Sequence, residues 1–255
     1  MNVALVAGCG AAGLVAGGFL DSLTGRIVRP PEPAPGDHPT GPGQSRSPRS
    51  YEVGAATPVQ VIVAPRAAGA IELIGSGIVT GAALALLAFR LGAVPPLAAY
   101  CALLLGLVAI SVVDIRLGIV PRAVLYPTFA ALAIGLVAAS AADSRWRTLG
   151  EAGIGGVGAF AVFFALWWFF PRGIGYGDIR LAGVVGAALG WIGFWEIYVG
   201  FLVAFALGAI LGVLLAVGRG TGRKTKLPFG PPLAAGAAFG VLWGPWAVHV
   251  WLHHG

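Results

Sequence analysis

From Ile71 to its last residues the chain is one apolar run after another, each broken by a short polar or glycine-bearing stretch. The runs fall at 71–91, 96–114, 121–140, 151–170, 180–195, 197–217 and 230–252. A helix needs about 20 apolar residues to cross the hydrocarbon core of a bilayer. Inside that core the backbone has to satisfy its own hydrogen bonds, which leaves helices as the natural spanning form for such runs. The stretch 181–217 is too long for one crossing, and Gly193-Phe194-Trp195-Glu196 offers a turn within it. An earlier apolar segment over residues 3–23 brings the expected number of helices to eight. Only 10% of the residues are charged and 58% are apolar, against roughly 25% charged in a soluble domain. The fold class is therefore all-α, a polytopic integral membrane protein. The 41 glycines suit it, because small residues let helix backbones approach in lipid. Gly13/Gly17, Gly186/Gly190, Gly208/Gly212 and Gly236/Gly240 have the required spacing and are read as packing positions.

Composition divides the chain into a first helix (1–23), a loop (24–70) and a seven-helix core (71–255). No Lys or Arg precedes the first apolar run, so it is read as a retained helix rather than a secretory signal peptide. Val6-Ala7-Gly8-Cys9 has the look of a lipoprotein box but lacks the positive charge before it. The loop is rich in Pro and Gly, with Arg29-Pro30-Pro31-Glu32-Pro33-Ala34-Pro35-Gly36 near its start, and cannot form a packed core. Tyr51 to Val63 within it reads as a short strand or an interfacial element. Cys9 and Cys101 stand in separate apolar runs and are read as small packing residues, not as a disulfide.

The net charge of +6 is no sign of nucleic acid, because the basic residues sit in loops between the runs. Threading eight helices puts 24–70, 114–122, 171–180 and 218–228 on one side, with thirteen of the sixteen Lys and Arg. Arg90, Arg145 and Arg147 lie on the other. By the positive-inside rule the first set faces the cytoplasm, and both ends of the chain face away from it.

Two acids stand out in this frame. Asp114 closes the third run in Ser111-Val112-Val113-Asp114, and Asp178 opens the sixth in Gly175-Tyr176-Gly177-Asp178. The threading puts both at the cytoplasmic face. Acids at membrane depth are costly and tend to be functional. Two carboxylates close together in a low-dielectric site do not both ionise easily and share a proton. Such a pair can activate a water and polarise a carbonyl, hydrolysing a peptide without a metal. Gly175 and Gly177 would let the chain turn sharply and a substrate strand come close. The residues alone leave two other readings open. Each acid could be a cap or a salt-bridge partner, with Arg116 and Arg180 at hand, or the two could build a proton or cation pathway.

Several blocks decide between these by likeness. Gly13-Leu14-Val15-Ala16-Gly17-Gly18-Phe19-Leu20-Asp21, Ala70-Ile71-Glu72-Leu73-Ile74, Asp114-Ile115-Arg116-Leu117-Gly118-Ile119-Val120-Pro121, Gly175-Tyr176-Gly177-Asp178-Ile179-Arg180-Leu181-Ala182 and Leu227-Pro228-Phe229-Gly230-Pro231-Pro232-Leu233-Ala234-Ala235-Gly236 follow one another in order. Together they resemble the type IV prepilin peptidases, membrane aspartyl proteases of the GxGD type that cleave class III signal peptides. The resemblance implies Asp114 and Asp178 as catalytic residues. It implies prepilin or pseudopilin substrates with a basic leader at the cytoplasmic face of a bacterial inner membrane, cut after a glycine. It also implies a link to pilus assembly or protein secretion.

The chain departs from that family in two places. Asp21 stands where an asparagine is usual. The long-form members carry two CxxC pairs in the first cytoplasmic loop as a zinc site, whereas residues 24–70 hold no cysteine. No metal is expected, and N-methylation with S-adenosylmethionine, which the family ties to that loop, is in doubt. Glu72 is a candidate for binding the substrate amine, although a carboxylate at a helix start is more simply a dipole partner. Glu196 is assigned to the outer turn. His249, His253 and His254 are read as interfacial rather than metal-binding. So are most of the tryptophans, which cluster near helix ends. Lys224 and Lys226 are read as orientation signals that also attract anionic lipid. The rivals in other classes are a proton-coupled transporter and a non-catalytic pilus or secretion assembly subunit.

Overall fold

The computed structural model describes residues 3–13, 70–170, 174–219 and 228–254, with the backbone alone for 70–76, 216, 218–219 and 251–254. The loop 24–69, the motif residues 14–21 and the side chain of Glu72 lie outside the described residues. Among the described residues eight helices follow in order: α1 (Val3–Gly13), α2 (Ala70–Leu91), α3 (Leu97–Leu117), α4 (Arg122–Asp143), α5 (Trp146–Phe169), α6 (Tyr176–Ile192), α7 (Phe194–Arg219) and α8 (Gly230–His254). Five of them, α3, α4, α5, α7 and α8, are long and apolar enough to cross a membrane by themselves. Together with the shorter apolar helices they make a polytopic all-α protein, the class expected.

The break between α6 and α7 is tighter than the four-residue turn anticipated. Gly193 alone separates them, its backbone extended at φ 170 and ψ 166, and Phe194 already begins the next helix. Glu196 accordingly lies in the first turn of α7 and is buried.

At 17 residues α6 is the shortest of the helices from α2 onward, and it is the central one. At the usual rise it is about 26 Å long. Ile179, Leu181, Ala182, Val185, Ala188 and Leu189 are all fully buried. It packs most closely against α5, and also against α4, α7 and α8. The α5 contact depends on missing side chains. A Cβ on Gly155 would meet the carbonyl oxygen of Gly186 at 2.6 Å, and one on Gly190 the carbonyl oxygen of Glu151 at 2.8 Å. Gly236 and Gly240 serve the α7–α8 contact in the same way, and Gly13 lets α1 lie against Gly81 of α2. These are the close approaches that small-residue spacing permits in lipid.

Helix α3 runs antiparallel to α6. Near its start, the Tyr100 hydroxyl donates to the carbonyl oxygen of Ala188, near the end of α6, at 2.9 Å. That bond fixes the relative register of the two helices. It leaves the last turn of α3 at the same end of the bundle as the first turn of α6. The half-buried thiols of Cys101 in α3 and Cys9 in α1 hydrogen-bond as free cysteines. The two cysteines, in separate apolar runs of the sequence, are neighbours.

Candidate active site

Asp114 lies in the final turn of α3, which continues to Leu117 and stops at Gly118. Gly118 ends the helix because its φ of 64 is left-handed, a conformation glycine adopts without a Cβ penalty. The chain then turns through Ile119, Val120 and Pro121 into α4. Val120 packs onto Gly177, where an added Cβ would come within 2.7 Å of the valine Cβ. The segment after the first aspartate thus rests directly on the glycine before the second.

Asp178 is the third residue of α6. Its amide donates to the carbonyl oxygen of Gly175 at 3.0 Å. Its Oδ2 accepts from the Gly175 amide at 3.2 Å, the carboxylate half of a capping box. Gly175 leaves little room, since a Cβ there would sit 3.1 Å from that same oxygen.

Asp114 is held differently. Its Oδ2 accepts a 2.7 Å hydrogen bond from the amide of Gly230, the first residue of α8. The first amides of a helix have no partner within it. In α8, Pro231 and Pro232 carry no N–H, and the Leu233 amide donates to the carbonyl oxygen of Phe229 at 3.1 Å. Gly230 is left with the one unsatisfied donor of the turn, and the α3 carboxylate takes it. The contact again requires glycine, because a Cβ on Gly230 would lie 2.7 Å from Asp114 Oδ2. Phe229 fixes the start of α8, its ring 5.5 Å from that of Phe205 and 6.2 Å from that of Phe163.

Both aspartates are therefore buried, at 4% and 7% exposure, and each accepts from an amide at a helix N-terminus. One caps its own helix; the other caps a neighbour. The positive ends of two helix dipoles converge on the pair, and the carboxylates are near enough for Asp178 to feel the charge of Asp114. Among the described residues neither aspartate is paired with an arginine. The Arg180 guanidinium lies over the Tyr176 ring, 4.5 Å from its centroid, with Tyr126 at 6.0 Å.

Of the residues singled out from sequence, Asp114, Asp178, Gly175 and Gly177 come together at one end of the bundle. The side chain of Glu72 lies outside the described residues, and so do those of His253 and His254. Among the described residues no cluster of His, Cys, Asp and Glu could hold a metal ion. Sequence reasoning gave no role to Gly230. Its signal was the Gly-Pro-Pro start of α8, which leaves a single free amide in the first turn.

Residues 101–216, which carry both aspartates, match the Type IV leader peptidase family. A prepilin leader peptidase/N-methyltransferase of Burkholderia pseudomallei is 36% identical over 187 residues, covering 70% of this chain and 51% of that protein. The protein of the same name from Pseudomonas putida is 31% identical over 144 residues, covering 54% and 47%. In Aeromonas hydrophila the figures are 29% over 102 residues, covering 38% and 34%. The chain spans about half the length of the Burkholderia relative it matches. No solved structure is significantly similar to it. The segment that carries both acids, residues 101–216, belongs to the Type IV leader peptidase family.

Proposed function

We propose that the chain is an aspartyl endopeptidase that removes the basic leader of a prepilin or pseudopilin at the cytoplasmic face of a bacterial inner membrane. The observation that carries this reading is the pair of buried carboxylates, each tied through Oδ2 to a helix-terminal amide. With one oxygen of each anchored, Oδ1 of each is the atom available for chemistry.

The two acids hold one proton between them, as like charges in a low-dielectric site do. A water lies between them and the scissile carbonyl. The ionised carboxylate takes a proton from the water as its oxygen attacks the carbonyl carbon. The protonated carboxyl gives its proton to the carbonyl oxygen. Collapse of the tetrahedral species returns a proton from that oxygen and delivers one to the leaving nitrogen, and the C–N bond breaks. No bond to the enzyme forms at any stage.

A basic leader suits the thirteen Lys and Arg assigned to the cytoplasmic side only if it is held away from them. The membrane surface, through anionic lipid, supplies that attraction. Glu72, at the start of α2, is a second candidate contact for a substrate amine. A four-thiolate zinc site cannot be built from this chain, which has two cysteines, in α1 and α3. Proteolysis by this route uses no metal. The methyltransferase half of the relatives' name is a separate activity that proteolysis does not need, and residues 24–70, to which the family ties it, hold no cysteine. S-adenosylmethionine enters no step.

The test is co-expression with a panel of prepilins, read as a mobility shift on a gel, for wild type and for Asp114→Asn and Asp178→Asn. The reading expects wild type to cut and each variant to insert in the membrane without cutting. A well-inserted variant that cuts like wild type overturns the pair. Substrate-dependent proton flux with no cleavage across the panel would replace the protease by a transporter.

A further inference from the structure

At the end of the bundle away from the aspartates, a cavity of about 480 Å³ opens between α2, α3, α4, α6 and α8. Small-molecule sites range from about 300 to 1,000 Å³, so it can hold a headgroup. Its walls include Arg90 at the end of α2 and Arg145 between α4 and α5. These are two of the three basic residues that lie apart from the rest of the chain's positive charge. Each guanidinium is laid over an indole: Arg90 is 5.2 Å from the Trp243 centroid, and Arg145 is 5.9 Å from that of Trp191. Such stacking orients a guanidinium and leaves its N–H edge for another ligand. Among the described residues neither arginine has a carboxylate partner. Asp143 also lines the cavity, so the walls carry a net charge of one.

A narrow apolar seam shares Tyr100, Val241 and Leu242 with this cavity. It runs toward the middle of the bundle between α2, α3 and α8, past Leu87, Leu103 and Leu107. A cationic mouth at the membrane boundary that leads into an apolar seam fits an amphiphile. A wall with one net positive charge fits a phosphodiester, with a single negative charge, better than a doubly charged monoester. We propose that the Arg90–Arg145 cavity binds the phosphodiester head of an anionic phospholipid, with an acyl chain along the α2–α3–α8 seam. The lipid occupies the leaflet opposite the aspartates. Trp191 and Trp246 flank its head.

The experiment is tryptophan quenching of the purified full chain in neutral detergent by brominated phosphatidylglycerol and, separately, brominated phosphatidylcholine. Both lipids carry phosphate, but only the first bears a net charge. In wild type, phosphatidylglycerol should saturate at a concentration at least about tenfold lower. The variant Arg90→Gln/Arg145→Gln should lose that preference. Arg147→Gln should keep it, because Arg147 is 93% exposed and paired with Glu151. Equal quenching of wild type by the two lipids overturns the proposal without any variant, and so does a preference unchanged in the double variant. Displacement of the brominated lipid by glycerol 3-phosphate at similar concentrations would also overturn it, in favour of a soluble phosphate ligand.

Discussion

The two aspartates are both buried and have the same kind of partner, a glycine amide at a helix start, yet they are held in opposite ways. Asp178 is anchored three residues away, within its own first turn. Asp114 is anchored 116 residues away, by a helix that begins long after the chain has left it. A local anchor forms with its helix. A distant one forms only when α3 and α8 are packed, so the geometry of Asp114 reports on the whole bundle and that of Asp178 on one turn. Substitutions that disturb the bundle should therefore act on the catalytic pair mainly through Asp114.

Gly230→Ala tests this most severely. Its Cβ would lie 2.7 Å from Oδ2 and 3.1 Å from Cγ of Asp114, with no flexible side chain to give way except the aspartate itself. A displacement of about 1 Å at a reacting group costs about a hundredfold, and the initial rate of leader cleavage should fall by that order. A rate within threefold of wild type would mean the distant anchor is dispensable. Gly177→Ala comes next. It pushes on Val120, so it should lower the temperature of irreversible inactivation and cost about 1–3 kcal/mol of stability through overpacking. The rate should fall by roughly tenfold.

Gly175→Ala should matter least of the three. The nearest atom to its Cβ would be Asp178 Oδ2 at 3.1 Å, and a carboxylate on its own helix can turn by a few tenths of an ångström. A loss below about fivefold in rate is expected. A larger effect than that of Gly230→Ala would invert the comparison. A chelator should do nothing at all. Dialysis of the purified chain against EDTA is predicted to leave the cleavage rate unchanged and elemental analysis to find less than one zinc per chain, since two cysteines cannot make a four-thiolate site.

The same contrast between near and far explains what could be read from the sequence. Gly175, Gly177 and Asp178 lie within four residues, and their spacing alone describes a capped helix start. The helix count could be read because span length is set by the bilayer, and the break at Gly193 showed because no single crossing needs so many residues. The bounds were less legible. Asp114 does not end α3, which gains another turn until Gly118 stops it. Nothing near Asp114 points to Gly230, nor does anything near Cys9 point to Cys101. Both pairs exist only because helices distant in the chain lie side by side. Arg90 and Arg145 were informative as a count of charges, but their cavity is built by five helices and has no sequence motif.

The pairing of the two acids is tested most directly by the cleavage rates of the purified chain carrying Asp114→Asn, Asp178→Asn and both changes, each checked for folding by its elution and melting. Residues that act as one unit lose as much singly as together. The prediction is a fall of at least about a thousandfold in each single variant, with the double variant no slower than either. If one single variant keeps a rate within tenfold of wild type, or if the double variant falls by the product of the two single losses, the two carboxylates do not form one catalytic pair.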